Sequence, residues 1–133
     1  VECGGEVGTL TFDRMRARNI YKSHQAYIRG MCNQLKLGLQ LGDLSEVAKA
    51  ATLSAQLNQQ FHYKPQFDEL LAISLESGAL GVNCAHSGTV LGVLYRRSDN
   101  LKDKLTHFIG QNFGADLNII GNYDVIGGGC NVY

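Results

Sequence analysis

The residues most able to do chemistry lie in one short run: Asn83, Cys84, Ala85, His86, Ser87, Gly88 and Thr89. A carboxamide, a thiol, an imidazole and two hydroxyls fall within seven positions, with apolar residues on either side. A loop of small polar residues exposes backbone N–H groups beside those side chains and can approach a substrate or a phosphate closely. Cys84 and His86 are candidates for a nucleophile and its base. Such a pair needs side chains within hydrogen-bond reach and a third group that orients the base. Two positions apart on a strand, they run side by side, and no carboxylate is near in sequence. A buried strand thiol is therefore the better reading of Cys84. On residue types alone, the whole run reads as two strands joined at Ser87-Gly88, with Gly88 supplying positive φ.

Other candidates are weaker. His24, His62, His86 and His107 show no i,i+4 pairing and no carboxylate that would complete a ligand set, so no metal site is expected. His24, His62 and His107 read as solvated or capping residues. Lys64 reads as a solvated charge near the end of a helix. Gly127-Gly128-Gly129 lacks the Lys-Ser/Thr of a phosphate loop and reads as the finish of a strand. Cys3, Cys32, Cys84 and Cys130 form no Cys-x-x-Cys pair, which argues against structural zinc and a thioredoxin-like motif. They are expected to be reduced thiols in a cytoplasmic protein.

These residues need elements to hold them. Thr9–Phe12 reads as a short strand. A long helix is expected over 14–41, with Ile20, Tyr27, Met31, Leu35 and Leu39 near one face and Gly42 as its stop. Gly30 and Gly38 weaken it by about 1 kcal/mol each relative to Ala. Asp43, with Glu46 three residues on, predicts a capping box. The second helix then carries an apolar stripe of Leu44, Val47, Ala48, Ala51 and Ala55, ending near Gln60. Pro65 suits the first position of a third helix, with Phe67, Leu70, Leu71, Ser74 and Leu75 at helical spacing and Gly78 as its end. After the hairpin, Asp99 or Asn100 is placed to cap a fourth helix with Leu101, Leu105, Phe108 and Ile109 inward, stopped by Gly114. Leu117–Ile120 reads as a strand, and the tail from Val125 as another. The order β-α-α-α-β-β-α-β favours an α+β fold with an antiparallel or mixed sheet of about four strands and helices on one face.

With 133 residues and 44% hydrophobic content, the chain fits one domain spanning 1–133, large enough for a core. No apolar run is long enough to cross a membrane. A net charge of zero, with no basic cluster expected, argues against nucleic acid as a partner.

Three runs in order carry a family resemblance over most of the chain. Gly81-Val82-Asn83-Cys84-Ala85-His86-Ser87-Gly88-Thr89-Val90-Leu91-Gly92 resembles the third motif of the GHMP kinase superfamily, in the variant carried by L-threonine kinases of cobalamin assembly. Ala51–Gln59, followed by Lys64-Pro65, resembles the same family, as does the segment from Gly4 to Phe12. The resemblance implies a ferredoxin-like C-terminal domain. It implies a parent enzyme that transfers the ATP γ-phosphoryl group to a hydroxyl, that of L-threonine above all, with ATP and Mg²⁺ as cofactors.

On this view Asn83, Ala85, His86, Ser87, Gly88 and Thr89 support the phosphate site and shape the acceptor pocket, and Asn58 could face the substrate cleft. The family's Pro-x-x-x-Gly-Leu-Gly-Ser-Ser-like loop has no counterpart in the sequence. The N-terminal ATP-binding domain is therefore expected to be absent, the chain alone inactive, and the surface left behind prone to self-association. The alternative is a non-enzymatic α+β binding or interaction domain.

Overall fold

A computed structural model describes residues 1–4, 13–85 and 89–125. Helix α1 (Arg14–Ser23) begins at Asp13, whose carboxylate accepts from the Arg16 N–H at 2.9 Å. The expected single helix over 14–41 is divided at His24 (φ −109°, ψ 17°), and α2 (Gln25–Leu41) follows. The Ser23 hydroxyl donates to the Ile20 carbonyl at 2.9 Å, and His24 Nδ1 lies 2.9 Å from the same oxygen. These polar side chains compete with the helical ladder at that point.

Gly42 ends α2 in the left-handed conformation, φ 66°. The next N–H, that of Asp43, reaches back to the Gly38 carbonyl at 2.8 Å, as in a Schellman motif. Asp43 at once caps α3 (Leu44–Asn58), accepting from the Ser45 and Glu46 N–H groups at 2.9 and 3.3 Å. Only half of the expected capping box forms, because the Glu46 carboxylate instead accepts from Gln34 Nε2 on α2 at 2.9 Å. Gly38, expected only as a weakness, is where α2 comes close against α3. A Cβ there would stand 3.0 Å from the Val47 backbone nitrogen.

Helix α3 is the middle layer. Ala48, Ala50, Ala55 and Leu57 are buried, whereas Leu44, expected on the inward stripe, is exposed. Against α3 lies strand β1 (Gly81–Cys84). The Thr52 hydroxyl accepts from the Val82 N–H at 3.0 Å and donates to the Ala48 carbonyl at 2.9 Å. A Cβ on Gly81 would fall 2.8 Å from that carbonyl oxygen, so only glycine admits this approach. β1 pairs antiparallel with β2 (Leu91–Leu94) in the register Gly81↔Leu94 to Cys84↔Leu91.

The fold is α+β, but the described residues form two strands rather than about four. Leu117–Ile120 contributes a single bridge, Asn118 to Glu2, and Glu2 also bridges Val90. Only one residue on each side finds a backbone partner there, and Ile119 and Ile120 remain exposed. The strand expected at Thr9–Phe12, and the tail beyond Val125, lie outside the described residues.

Pro65 does not open the third helix. It sits in a turn closed by the Phe67 N–H and the Lys64 carbonyl at 3.1 Å, and α4 runs Phe67–Glu76. Phe67, Leu70 and Ser74 are buried, Leu71 is half-buried and Leu75 is exposed. Gly78 ends the segment with φ 102°. A short 3₁₀ turn (Arg97–Asp99) and a left-handed Asn100 precede α5 (Lys102–Phe113), so Leu101, not Asp99 or Asn100, holds the N-cap position, without a side-chain cap. Leu105 and Ile109 turn inward as expected, Phe108 only half, and Phe113 is added to them. Ala55, Phe67, Leu70, Val82, Leu91, Ile109, Phe113 and Leu117 make the core.

The outer pair α1–α2 departs most from expectation. Tyr27, Leu35 and Leu39 are exposed, while Ala17 and Gly38 are buried. At Gly38 a small residue brings α2 close to α3, while large apolar side chains of α2 stay outside. The same stretch is basic: Arg14, Arg16, Arg18, Lys22, Arg29 and Lys36 stand in a segment that has no carboxylate from 14 to 42. The net charge of zero conceals this patch, so the expected lack of a basic cluster is corrected.

Candidate functional site

The run that opened the sequence analysis begins on β1 and returns toward β2. Asn83 is half-buried and pairs across the sheet with Gly92. A Cβ on Gly92 would strike the Asn83 carboxamide, so that side chain lies over β2. Ala85 continues the ladder, its N–H donating to the Val90 carbonyl at 2.8 Å. The Thr89 carbonyl accepts from the Cys3 N–H at 2.9 Å, which joins the first residues of the chain to the base of the loop. His86, Ser87 and Gly88 lie outside the described residues.

Alternation along β1 puts Cys84 on the face opposite Asn83. Cys84 packs against the core, and its thiol lies 3.8 Å from Asn58 Oδ1, at the last residue of α3. Asn58, flagged only as a possible cleft residue, is thus brought beside the start of the loop. The thiol also lies 3.5 Å from the Ala85 carbonyl. Cys84 is half-buried rather than buried, and its pairing with His86 lies outside the described residues.

Lys64 was expected to be a solvated charge, but it is only 6% exposed. Its backbone N–H donates to Gln59 Oε1 at 2.8 Å, and its ammonium donates to the His62 carbonyl at 2.8 Å. Pro65 explains the burial in part: it holds the turn that folds Lys64 back under α3. The ammonium is also near Cys3. Burial pushes the Cys3 thiol pKa up, and the positive charges of Lys64 and of the chain's amino group oppose that push. Lys64, Gln59 and Cys3 are the residues that sequence reasoning missed here. The adjacent proline marked a turn at Lys64, but no local pattern marks a cation for burial.

The described histidines do not gather. His24 bonds within the α1–α2 corner and to Gln60 at 3.3 Å, and His107 lies against Phe108 on the exposed side of α5. Among the described residues no three His, Cys, Asp or Glu side chains lie together as a metal site. A concavity of about 660 Å³ lies elsewhere, between α1 and α2, lined by Ala17, Tyr21 and Ile28 with Arg14, Arg18 and Arg29 among its cations. No described helix is long and apolar enough to cross a membrane.

Comparison with known proteins gives this geometry a family. Residues 35–111, more than half of the chain, match the family model described as GHMP kinases C terminal. The chain is 42% identical over 65 residues to an L-threonine kinase of Citrobacter freundii, covering 49% of this chain and 23% of the relative. It is 41% identical over 63 residues to an L-threonine kinase of Salmonella typhimurium, covering 44% of this chain and 21% of that relative. The chain thus spans under a quarter of the length of either curated relative it matches. No solved structure matches it. The matched region runs from α2 through α5 and includes Asn58, Lys64 and the whole of the β1–β2 hairpin. The chain belongs to the GHMP kinase family and carries its C-terminal domain.

Proposed function

We propose that this chain serves a small-molecule kinase that transfers the γ-phosphoryl group of ATP to the hydroxyl of L-threonine, giving O-phospho-L-threonine for cobalamin assembly. The similarity to two L-threonine kinases carries this reading. Catalysis of phosphoryl transfer consists largely of positioning and of charge stabilisation. The role assigned to this domain is the acceptor side. Asn83, Ala85, His86, Ser87, Gly88 and Thr89 shape the site where hydroxyl and phosphoryl group meet, and Asn58 borders it.

Magnesium and ATP belong to the reaction, but the described residues do not fit a magnesium site, since no carboxylate joins Asn58, Lys64 and Cys84. Nor does the sequence carry a phosphate loop of the GHMP or Walker type. The 133-residue chain alone is therefore proposed to be inactive, with the groups that hold ATP and Mg²⁺ supplied by another domain.

A chimera tests the acceptor assignment. The C-terminal segment of the Citrobacter L-threonine kinase is replaced by the matching residues of this chain, and ATP-dependent phosphorylation of L-threonine is measured. Retained preference for L-threonine over homoserine supports the proposal. A folded chimera that has lost that preference refutes it. In the same chimera, Ser87→Ala and His86→Ala should each lower kcat/KM by about 10-fold or more if they meet the acceptor or the transferring group.

A further inference from the structure

We propose that Lys64 is a binding residue for an anionic oxygen of the ligand, at a site it shares with Asn58 at the base of the β1–β2 hairpin. Four observations converge on it. The residue is 94% buried by its own exposure of 6%, yet among the described residues its ammonium has one acceptor, the neutral carbonyl of His62. An ammonium carries three donors. Among the described residues no carboxylate is found paired with it. A cation taken out of water without a counter-charge is costly, and proteins retain one where something pairs with it.

The backbone is fixed for a task that a mere surface lysine would not need. Gln59 holds the Lys64 N–H at 2.8 Å, and the turn through Pro65 holds its carbonyl at 3.1 Å. The surroundings are those of the candidate site. Asn58 precedes Gln59, its carboxamide oxygen touches the Cys84 thiol, and Cys3, close enough to sense the Lys64 charge, is bonded to the Thr89 carbonyl.

A lysine ammonium binds carboxylate and phosphate oxygens alike, as a point charge with charge-assisted hydrogen bonds. An amino-acid acceptor supplies the first and a transferring phosphoryl group the second. The site itself does not depend on the proposed kinase function; only the naming of these two sources rests on that reading.

The test uses the whole 133-residue chain, labelled with ¹⁵N, titrated separately with inorganic phosphate, L-threonine, and L-threoninol, which lacks the carboxylate. Saturable shifts at the amides of Asn58, Lys64 and Cys84, weakened at least 10-fold in Lys64→Met, support the site. Binding of phosphate assigns it to the phosphoryl group. Binding of L-threonine but not of L-threoninol assigns it to the acceptor carboxylate. The amides of Leu70 and Val82 report whether the variant keeps its core. Should it not, the side-chain ammonium resonance of Lys64 in the native chain gives the answer without a substitution, moving as either anion is added. An ammonium resonance indifferent to both anions, or a folded Lys64→Met chain that binds as the native one does, overturns the proposal. Anion binding at Lys64 together with an inactive chimera would leave this site standing while the threonine kinase reading falls.

Discussion

Helices α2 and α3 lie side by side and are built for opposite environments. α3 is enclosed, with α2 on one side and β1 on the other, and it manages this with alanines and with glycines set opposite it, Gly38 on α2 and Gly81 on β1. α2 meets the rest of the molecule on one narrow side, and Leu35, Leu37, Leu39 and Leu41 remain exposed. Close packing of helix against helix depends on small residues at the contact, whereas large apolar residues need a partner surface of their own. Large apolar side chains on a helix therefore show that a face is available for burial, not that this chain buries it.

The comparison breaks most readily at the core. Leu70→Ala removes a side chain with no exposed surface, packed among Phe67, Val82 and Leu91, and should cost about 2–5 kcal/mol in chemical denaturation. A loss below about 1 kcal/mol would show that this layer is not the core.

Gly81→Ala tests the α3–β1 contact. The added methyl would stand against the Thr52 hydroxyl and 2.8 Å from the Ala48 carbonyl oxygen, and the strain should cost about 1–3 kcal/mol. Gly30→Ala, on the open side of α2 with no atom within 4 Å of the new methyl, should instead stabilise by up to about 1 kcal/mol. Equal effects at the two glycines would erase the distinction between the helices.

Leu39→Gln should change stability by about 0.5 kcal/mol or less, since Leu39 is 65% exposed. Its larger effect is expected in light scattering across a concentration series. The exposed leucines of α2 are proposed to draw two copies together, and Leu39→Gln with Leu41→Gln should shift the chain toward monomer. A native chain that stays monomeric at millimolar concentration removes self-association from the account of this face.

Thiol chemistry gives the smallest effect. Cys32 is exposed on α2, whereas Cys3 is half-buried with its pKa raised by burial. Alkylation at pH 8 should label Cys32 well before Cys3. The sign for stability follows from the same shift. The folded state favours the protonated Cys3 thiol, so its contribution is complete below the unfolded pKa, about 8.5, and is lost as pH rises through the higher folded value. Replacing Cys3 by Ser should remove that alkaline dependence.

What the sequence determined by itself was local. Asp43 as a cap, Gly42 and Gly78 as stops, the helical segments apart from the break at His24, and the β1–β2 hairpin follow from short-range hydrogen bonding and φ preferences, which neighbouring residues settle among themselves. The cap expected for α5 from Asp99 or Asn100 did not form: Asp99 lies in a 3₁₀ turn and Asn100 is left-handed. The family was legible too, since three runs in order specify it more tightly than any element pattern.

Only the tertiary structure decided which faces met. It left Leu39 and Leu44 outside, reduced Leu117–Ile120 to one bridge, and carried Lys64 from the solvent it was expected to face into a buried turn. It also brought Asn58 from one element against Cys84 of another, 26 residues on. The physical reason is common to all of these. Periodicity and propensity describe what a segment can present, but burial is a property of pairs of surfaces. The partner surface lies far along the chain, where no local pattern records the encounter.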